Sequence, residues 1–134
     1  MDNFHDEYET ALNSKYYLSG KNIGVSVNPG TANQIGELGK VLNQGMQNVE
    51  IGPIDQRIFD TIPKEHFKEM KRLGKITGSN ISIHAPIIDI IGFTQQGWDE
   101  AHRLSAEKQI ESVIERAHEI DPHGNVPVTI HGGT

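Results

Sequence analysis

The feature that most constrains the fold is a regular alternation of short β-branched runs with stretches whose apolar residues recur at helical spacing. Four runs are predicted to be strands, each bounded by turn residues, and they cover 23–27, 48–51, 80–84 and 126–131. The best-supported helix carries an apolar stripe that begins at Trp98 and ends at Ile120. This alternation predicts an α/β fold with a parallel sheet and right-handed crossovers. Sheets of this kind place ligand sites at the carboxyl ends of their strands.

Composition excludes several classes of protein. The chain has 134 residues, about one domain, and its lack of cysteine excludes disulfides and Cys-ligated metal sites. It contains no apolar run of membrane-helix length and begins with an acidic segment unlike a signal peptide, so we expect no membrane partner and a cytoplasmic location. The net charge is −6, of which the first ten residues contribute −4. The nearly neutral remainder argues mildly against a general nucleic-acid binder, although a local basic patch would still allow DNA binding.

Two histidines stand where predicted strands end. His84 closes the third strand before Ala85-Pro86, and His131 closes the fourth before Gly132-Gly133. Because neighbouring parallel strands lie about 4.8 Å apart, we expect both imidazoles at the same rim of the sheet, within reach of one divalent metal. The same spacing also allows two hydrogen-bonded strand-end histidines without a metal.

The two histidine segments resemble a known family. Ser82-Ile83-His84-Ala85-Pro86 and Val128-Thr129-Ile130-His131-Gly132-Gly133 are similar to strand ends of the xylose isomerase-like TIM barrels, closest to the endonuclease IV branch of abasic-site DNA endonucleases. The resemblance covers residues 22–134 and implies that His84 and His131 are ligands of a zinc centre, with manganese as the alternative metal. It further implies that Arg57 approaches DNA and that Glu50 matches a substrate-binding carboxylate of the sugar-isomerase branch.

The resemblance also carries departures. Ile87 and Ile90 stand where the endonuclease pattern has Tyr and Asn, and Gly132-Gly133-Thr134 replaces Pro-Gly-Ser. A complete barrel needs eight strand–helix units and about 250 residues. We therefore expect an N-terminal extension over residues 1–21 and, over 22–134, about four β/α units that form the first half of a TIM (β/α)8 barrel within a longer protein.

Three functional hypotheses follow. The first is a metal-dependent hydrolase in DNA repair that cleaves phosphodiesters at abasic sites, with its general base outside this chain. The second is a metal-dependent sugar isomerase or epimerase, in which Glu50 would contact the substrate. The third is a non-catalytic fragment or binding module, for which the exposed edge of a four-stranded sheet predicts self-association.

Overall fold

The computed structural model describes residues 19–131. The predicted extension over 1–21 therefore lies almost entirely outside the described residues, as do Gly132, Gly133 and Thr134. After a 3-10 turn, Gly20–Asn22, the elements are β1 (Gly24–Ser26), α1 (Gln34–Asn43), β2 (Asn48–Ile51), α2 (Gln56–Thr61), α3 (Lys64–Thr77), β3 (Asn80–His84), β4 (Phe93–Thr94), β5 (Gly97–Trp98), α4 (Glu100–Ile120) and β6 (Val128–Thr129).

The main sheet is parallel and its strands follow chain order. It has four strands in the order β1-β2-β3-β6, and helices connect each strand to the next. Gly24 is paired with Asn48, Asn48 with Asn80, and Ile83 with Val128. The predicted α/β fold with a parallel sheet is thus confirmed. Because every crossover advances the sheet in one direction, right-handed connections bring the helices to one face.

The two faces of the sheet differ sharply in chemistry. Val49, Ile51, Ile81 and Ile83 are buried and pack into one core with apolar residues of the helices. These helix residues are Leu38, Phe59, Phe67, Met70, Val113, Ala117 and Ile120. The alternate strand positions point the other way, because successive side chains in a strand point to opposite faces. The residues at these positions are polar or small, and in the part of the chain that the structure describes no helix covers them. They are Gly24, Ser26, Asn48, Glu50, Asn80, Ser82 and His84.

Two local features differ from the sequence prediction. Trp98 belongs to a two-stranded antiparallel hairpin and is 57% exposed, whereas the apolar stripe had placed it on the helix. The helix begins at Glu100 because Asp99 caps it by accepting hydrogen bonds from the backbone N–H groups of Ala101 and His102. The second is helix α2, a segment for which the sequence pattern predicted no helix. It follows Asp55, whose side chain accepts the backbone N–H of Arg57.

The core contains one arginine. Arg116 is 7% exposed, and its guanidinium carbon lies 4.9 Å from the ring centre of Phe59 and 5.9 Å from that of Phe67. It donates to the carbonyl and hydroxyl oxygens of Ser112, while its buried Nε has no protein partner within residues 19–131. The positive charge is therefore held mainly against aromatic faces, an arrangement that is worth most where water is excluded.

Across residues 19–131, no helix combines the length and the apolar character needed to span a membrane.

Candidate functional site

The structure brings His84 and His131 together. His84 is the last residue of β3 and is paired with Thr129 of β6, and His131 follows two positions later on the same uncovered face. The Nε2 atoms of the two rings are 2.8 Å apart. His84 is half-buried and His131 is exposed, so solvent or a ligand reaches the pair from the rim.

The rings meet edge to edge. Their centres are 4.9 Å apart and their planes are inclined by 23°. Each imidazole nitrogen lies about 1.15 Å from its ring centre, as the bond lengths of a five-membered ring require. Two such radii and the 2.8 Å separation of the nitrogens together nearly equal the distance between the centres. The two Nε2 atoms are therefore the parts of the rings that approach each other, at a distance that fits a hydrogen bond between ring nitrogens.

Glu50 contacts the opposite side of the His84 ring. It lies on β2, where it is paired with Ser82, so His84 is its diagonal neighbour on the same face. One carboxylate oxygen, Oε1, is 3.4 Å from Nδ1 of His84. The side chains of His84 and Glu50 are 18% and 32% exposed, and the three groups form a chain from carboxylate to imidazole to imidazole.

The donor chemistry of the pair suits a divalent metal. Neutral imidazole nitrogens bind zinc, manganese, iron and cobalt. In a tetrahedral zinc site with Zn–N distances near 2.05 Å, two ligand nitrogens are about 3.3 Å apart, so these rings need to separate by roughly 0.5 Å and tilt toward a common point. Within residues 19–131, no group of three or more His, Asp or Glu side chains is arranged to hold a metal. The described residues thus bring together two potential imidazole ligands, fewer than the three or four protein groups that zinc sites use.

An open concavity of mixed polar and apolar lining extends over the uncovered face from the amino ends of the strands to Glu50 and Ser82, short of the histidine pair. Its volume is about 430 Å³, within the range of small-molecule sites. Its polar lining comes from Ser26, Asn48, Glu50, Asn80 and Ser82, and the lining contains neither Lys nor Arg. Asn80 donates to the side-chain oxygen of Asn48 at 2.9 Å, so the two amides have fixed orientations.

Arg57, the other predicted site residue, lies in the first turn of α2. Its side chain is 93% exposed, and its ion pairs within the described residues involve only Asp55, at 3.3 Å. Hydrogen bonds from the side chain and backbone of Arg57 lower the pKa of the Asp55 carboxyl. In the described structure Arg57 therefore contacts Asp55, the residue that caps α2, and it does not contact the histidine pair.

Sequence reasoning did not find the aromatic hairpin that follows β3. Phe93 and Trp98 are directly paired across β4 and β5, and they are 63% and 57% exposed. Ile87 and Ile91, in the loop before the hairpin, are exposed as well. The segment Gln95-Gln96-Gly97 indicates this hairpin, because glycine readily adopts the positive φ, here 106° at Gly97, that a tight turn between two short strands requires.

Comparison with known proteins gave no match to this chain among protein-family models, curated proteins or solved structures.

Proposed function

We propose that this chain carries half of the metal centre of a metal-dependent β/α-barrel enzyme of the xylose isomerase-like class, with His84 and His131 as ligands. The observation that carries the proposal is the meeting of the two Nε2 atoms, 2.8 Å apart, at the carboxyl ends of adjacent parallel strands. Catalytic groups of β/α barrels lie at this rim. The chain-order arrangement of the strands also supports a barrel, because a barrel advances in one direction with all helices outside.

Zinc is the metal proposed first and manganese second. When bound, such an ion supplies a Lewis acid that favours deprotonation of water and neutralises charge on a phosphate or carbonyl oxygen. The chain's own residues hold this ion through His84 and His131. Ser82, two residues before His84 on the same face, presents a hydroxyl group that can orient a polar substrate.

The substrate proposed first is a phosphodiester at an abasic site in DNA. Its support is the sequence His84-Ala85-Pro86 at the end of β3 together with the His131 strand end, the two segments that resemble the endonuclease IV branch.

A sugar isomerase or epimerase is the second candidate, and one observation favours it. The lining of the concavity contains no Lys or Arg and includes the carboxylate of Glu50, which also contacts His84. Such a lining suits the hydroxyl groups of a free sugar better than the repeated phosphates of a DNA strand, which are usually bound by cationic side chains.

Metal binding is the first test. Zinc titration by calorimetry, with elemental analysis of the purified full chain, should show binding that is lost in the His84→Ala/His131→Ala double variant. The matched control is His118→Ala/His123→Ala, which removes two exposed imidazoles at the far end of α4 and in the turn after it. Sedimentation velocity on the same samples gives the number of chains per metal and tests the predicted self-association. Equal zinc binding by wild type and the His84/His131 variant would contradict the proposal.

Substrate assays then separate the two candidates. The zinc-loaded chain is incubated with duplex DNA containing one abasic site, with matched intact DNA, and with a panel of aldoses and ketoses. Binding to abasic DNA that weakens steeply with salt supports the phosphodiester substrate, because released counterions dominate phosphate contacts. Salt-insensitive sugar binding or conversion, without DNA cleavage, supports the second candidate.

A further inference from the structure

The carboxylate of Glu50 is placed at the side of His84 that faces away from the proposed metal. Its Oε1 is 3.4 Å from Nδ1, whereas Nε2 of the same ring faces His131. The two nitrogens of an imidazole point outward in directions roughly 145° apart, as the geometry of a five-membered ring requires. An oxygen bonded at Nδ1 therefore cannot also bind an ion that Nε2 holds.

The register of the sheet explains this placement. Glu50 is paired with Ser82, and His84 lies two residues further along β3 on the same uncovered face. A glutamate side chain is long enough to reach that diagonal neighbour, and the 3.4 Å contact is slightly longer than an ordinary N–H···O hydrogen bond. A movement of a few tenths of an ångström brings it to an ordinary length.

We propose that Glu50 is a positioning residue that accepts the Nδ1–H of His84 and so leaves the lone pair of a neutral ring on Nε2. This inference rests on the proposed metal site and assigns Glu50 a role other than the substrate contact expected from the sequence. Metal-binding histidines usually donate their second ring N–H to a carboxylate or carbonyl, which fixes both the tautomer and the ring orientation.

This tautomer of His84 determines which of the two histidines donates the hydrogen bond between the rings. Once the proton of His84 is on Nδ1, its Nε2 is an acceptor, and the 2.8 Å contact requires the Nε2 of His131 to donate. His84 is then ready to bind a cation, whereas His131 has to move its proton to Nδ1 first. The two ligands are therefore unequal before any metal arrives.

Nitrogen NMR of the metal-free, ¹⁵N-histidine-labelled full chain tests the tautomers in mildly alkaline solution, at about pH 8.5. We expect the Nδ1–H form for His84 and the Nε2–H form for His131 in wild type. In Glu50→Ala, His84 should lose this preference, and zinc affinity measured by calorimetry should fall about 10- to 100-fold. Glu50→Gln keeps an acceptor oxygen of the same reach, so it should retain the tautomer and lose less affinity. Glu111→Gln makes the same chemical change on an exposed face of α4 and should change neither property.

The outcomes separate this inference from the proposed function. Zinc binding through His84 and His131 that is unaffected by Glu50→Ala, or an Nδ1–H tautomer of His84 that persists in that variant, overturns the role of Glu50 and leaves the metal site standing. Absence of zinc binding by wild type overturns the proposed function and with it any role of Glu50 toward a metal, even if the tautomer depends on Glu50. Backbone amide spectra establish that each variant is folded, and Glu50→Gln decides the question if Glu50→Ala is not.

Discussion

The buried arginine allows a quantitative test of how the helices hold together. Phe59 is fully buried, lies edge-on to Phe67 with ring centres 6.1 Å apart, and presents its face to Arg116 at 4.9 Å. In Phe59→Leu we expect the loss of the aromatic pair, about 0.5–1.5 kcal/mol, and of a desolvated cation–π contact, about 1–2 kcal/mol. A small cavity adds to both. The free energy of unfolding should therefore fall by about 2–4 kcal/mol.

A double-mutant cycle isolates the contact between Phe59 and Arg116. Arg116→Met removes the cation–π contact but also removes a buried Nε that has no protein partner in residues 19–131, and such a group costs about 1–3 kcal/mol. The single change should consequently be mild. The double variant should be less destabilised than the sum of the two single variants, by about 1–2 kcal/mol.

Urea unfolding followed by circular dichroism measures each corner of this cycle at one fixed pH. Phe67→Leu serves as the internal comparison, because its ring is 5.9 Å from the guanidinium carbon and should couple less strongly to Arg116. Additivity within about 0.5 kcal/mol for the Phe59 pair would refute the cation–π interpretation. Stronger coupling to Phe67 than to Phe59 would refute it as well.

Three further predictions concern the scaffold, and chemical or thermal unfolding checks each of them. Gly39→Ala, on α1, meets no atom within 4 Å and should raise the unfolding free energy by about 0.5–1 kcal/mol, because alanine favours helix; no gain would contradict this. Gly92→Ala should destabilise more than Gly97→Ala, since both have positive φ but only Gly92 would bring a Cβ within 2.9 Å of the Cβ of Arg103; equal losses would count against the packing argument. The backbone N–H of His123 donates to the Asp121 carboxylate, and this hydrogen bond is the main reason that the pKa of the Asp121 carboxyl is lowered. Ionised Asp121 therefore stabilises the folded state fully above its unfolded pKa near 3.8, and this stabilisation is lost as the pH falls through the lower folded pKa. Asp121→Asn should consequently reduce the slope of the unfolding free energy against pH in this acid range.

The sequence predicted the two inner strands of the sheet more accurately than the two outer ones. The predicted strands over 48–51 and 80–84 have the bounds that the structure shows, whereas the predicted strand over 23–27 is found only over Gly24–Ser26. The last strand is shorter than predicted, since only Val128–Thr129 pair within the described sheet. Proline at 127 contributes no backbone N–H to the sheet, and its carbonyl instead accepts from Ile83 at 2.9 Å.

The candidate site was only partly predictable. Two strand-end histidines can be placed at one rim from strand order alone, because parallel strands share an orientation. The contact of Glu50 with His84 depends on the register between β2 and β3, which sequence periodicity does not determine. For Trp98, by contrast, the sequence pattern predicted the wrong element. Its spacing fits the apolar stripe of α4, but the capping side chain of Asp99 starts the helix after it.

The order of the strands has a consequence for how the chain folds. The three parallel pairings join residues 24, 32 and 45 positions apart, Gly24 with Asn48, Asn48 with Asn80 and Ile83 with Val128. The entropic cost of closing such loops grows only logarithmically with length, so the longest costs about 0.6 kcal/mol more than the shortest. Each strand of the sheet after β1 pairs with the sheet strand that precedes it in chain order, so the sheet can form outward from β2 and β3. Slowly exchanging amides should therefore be concentrated in these two central strands, with faster exchange toward β1 and β6.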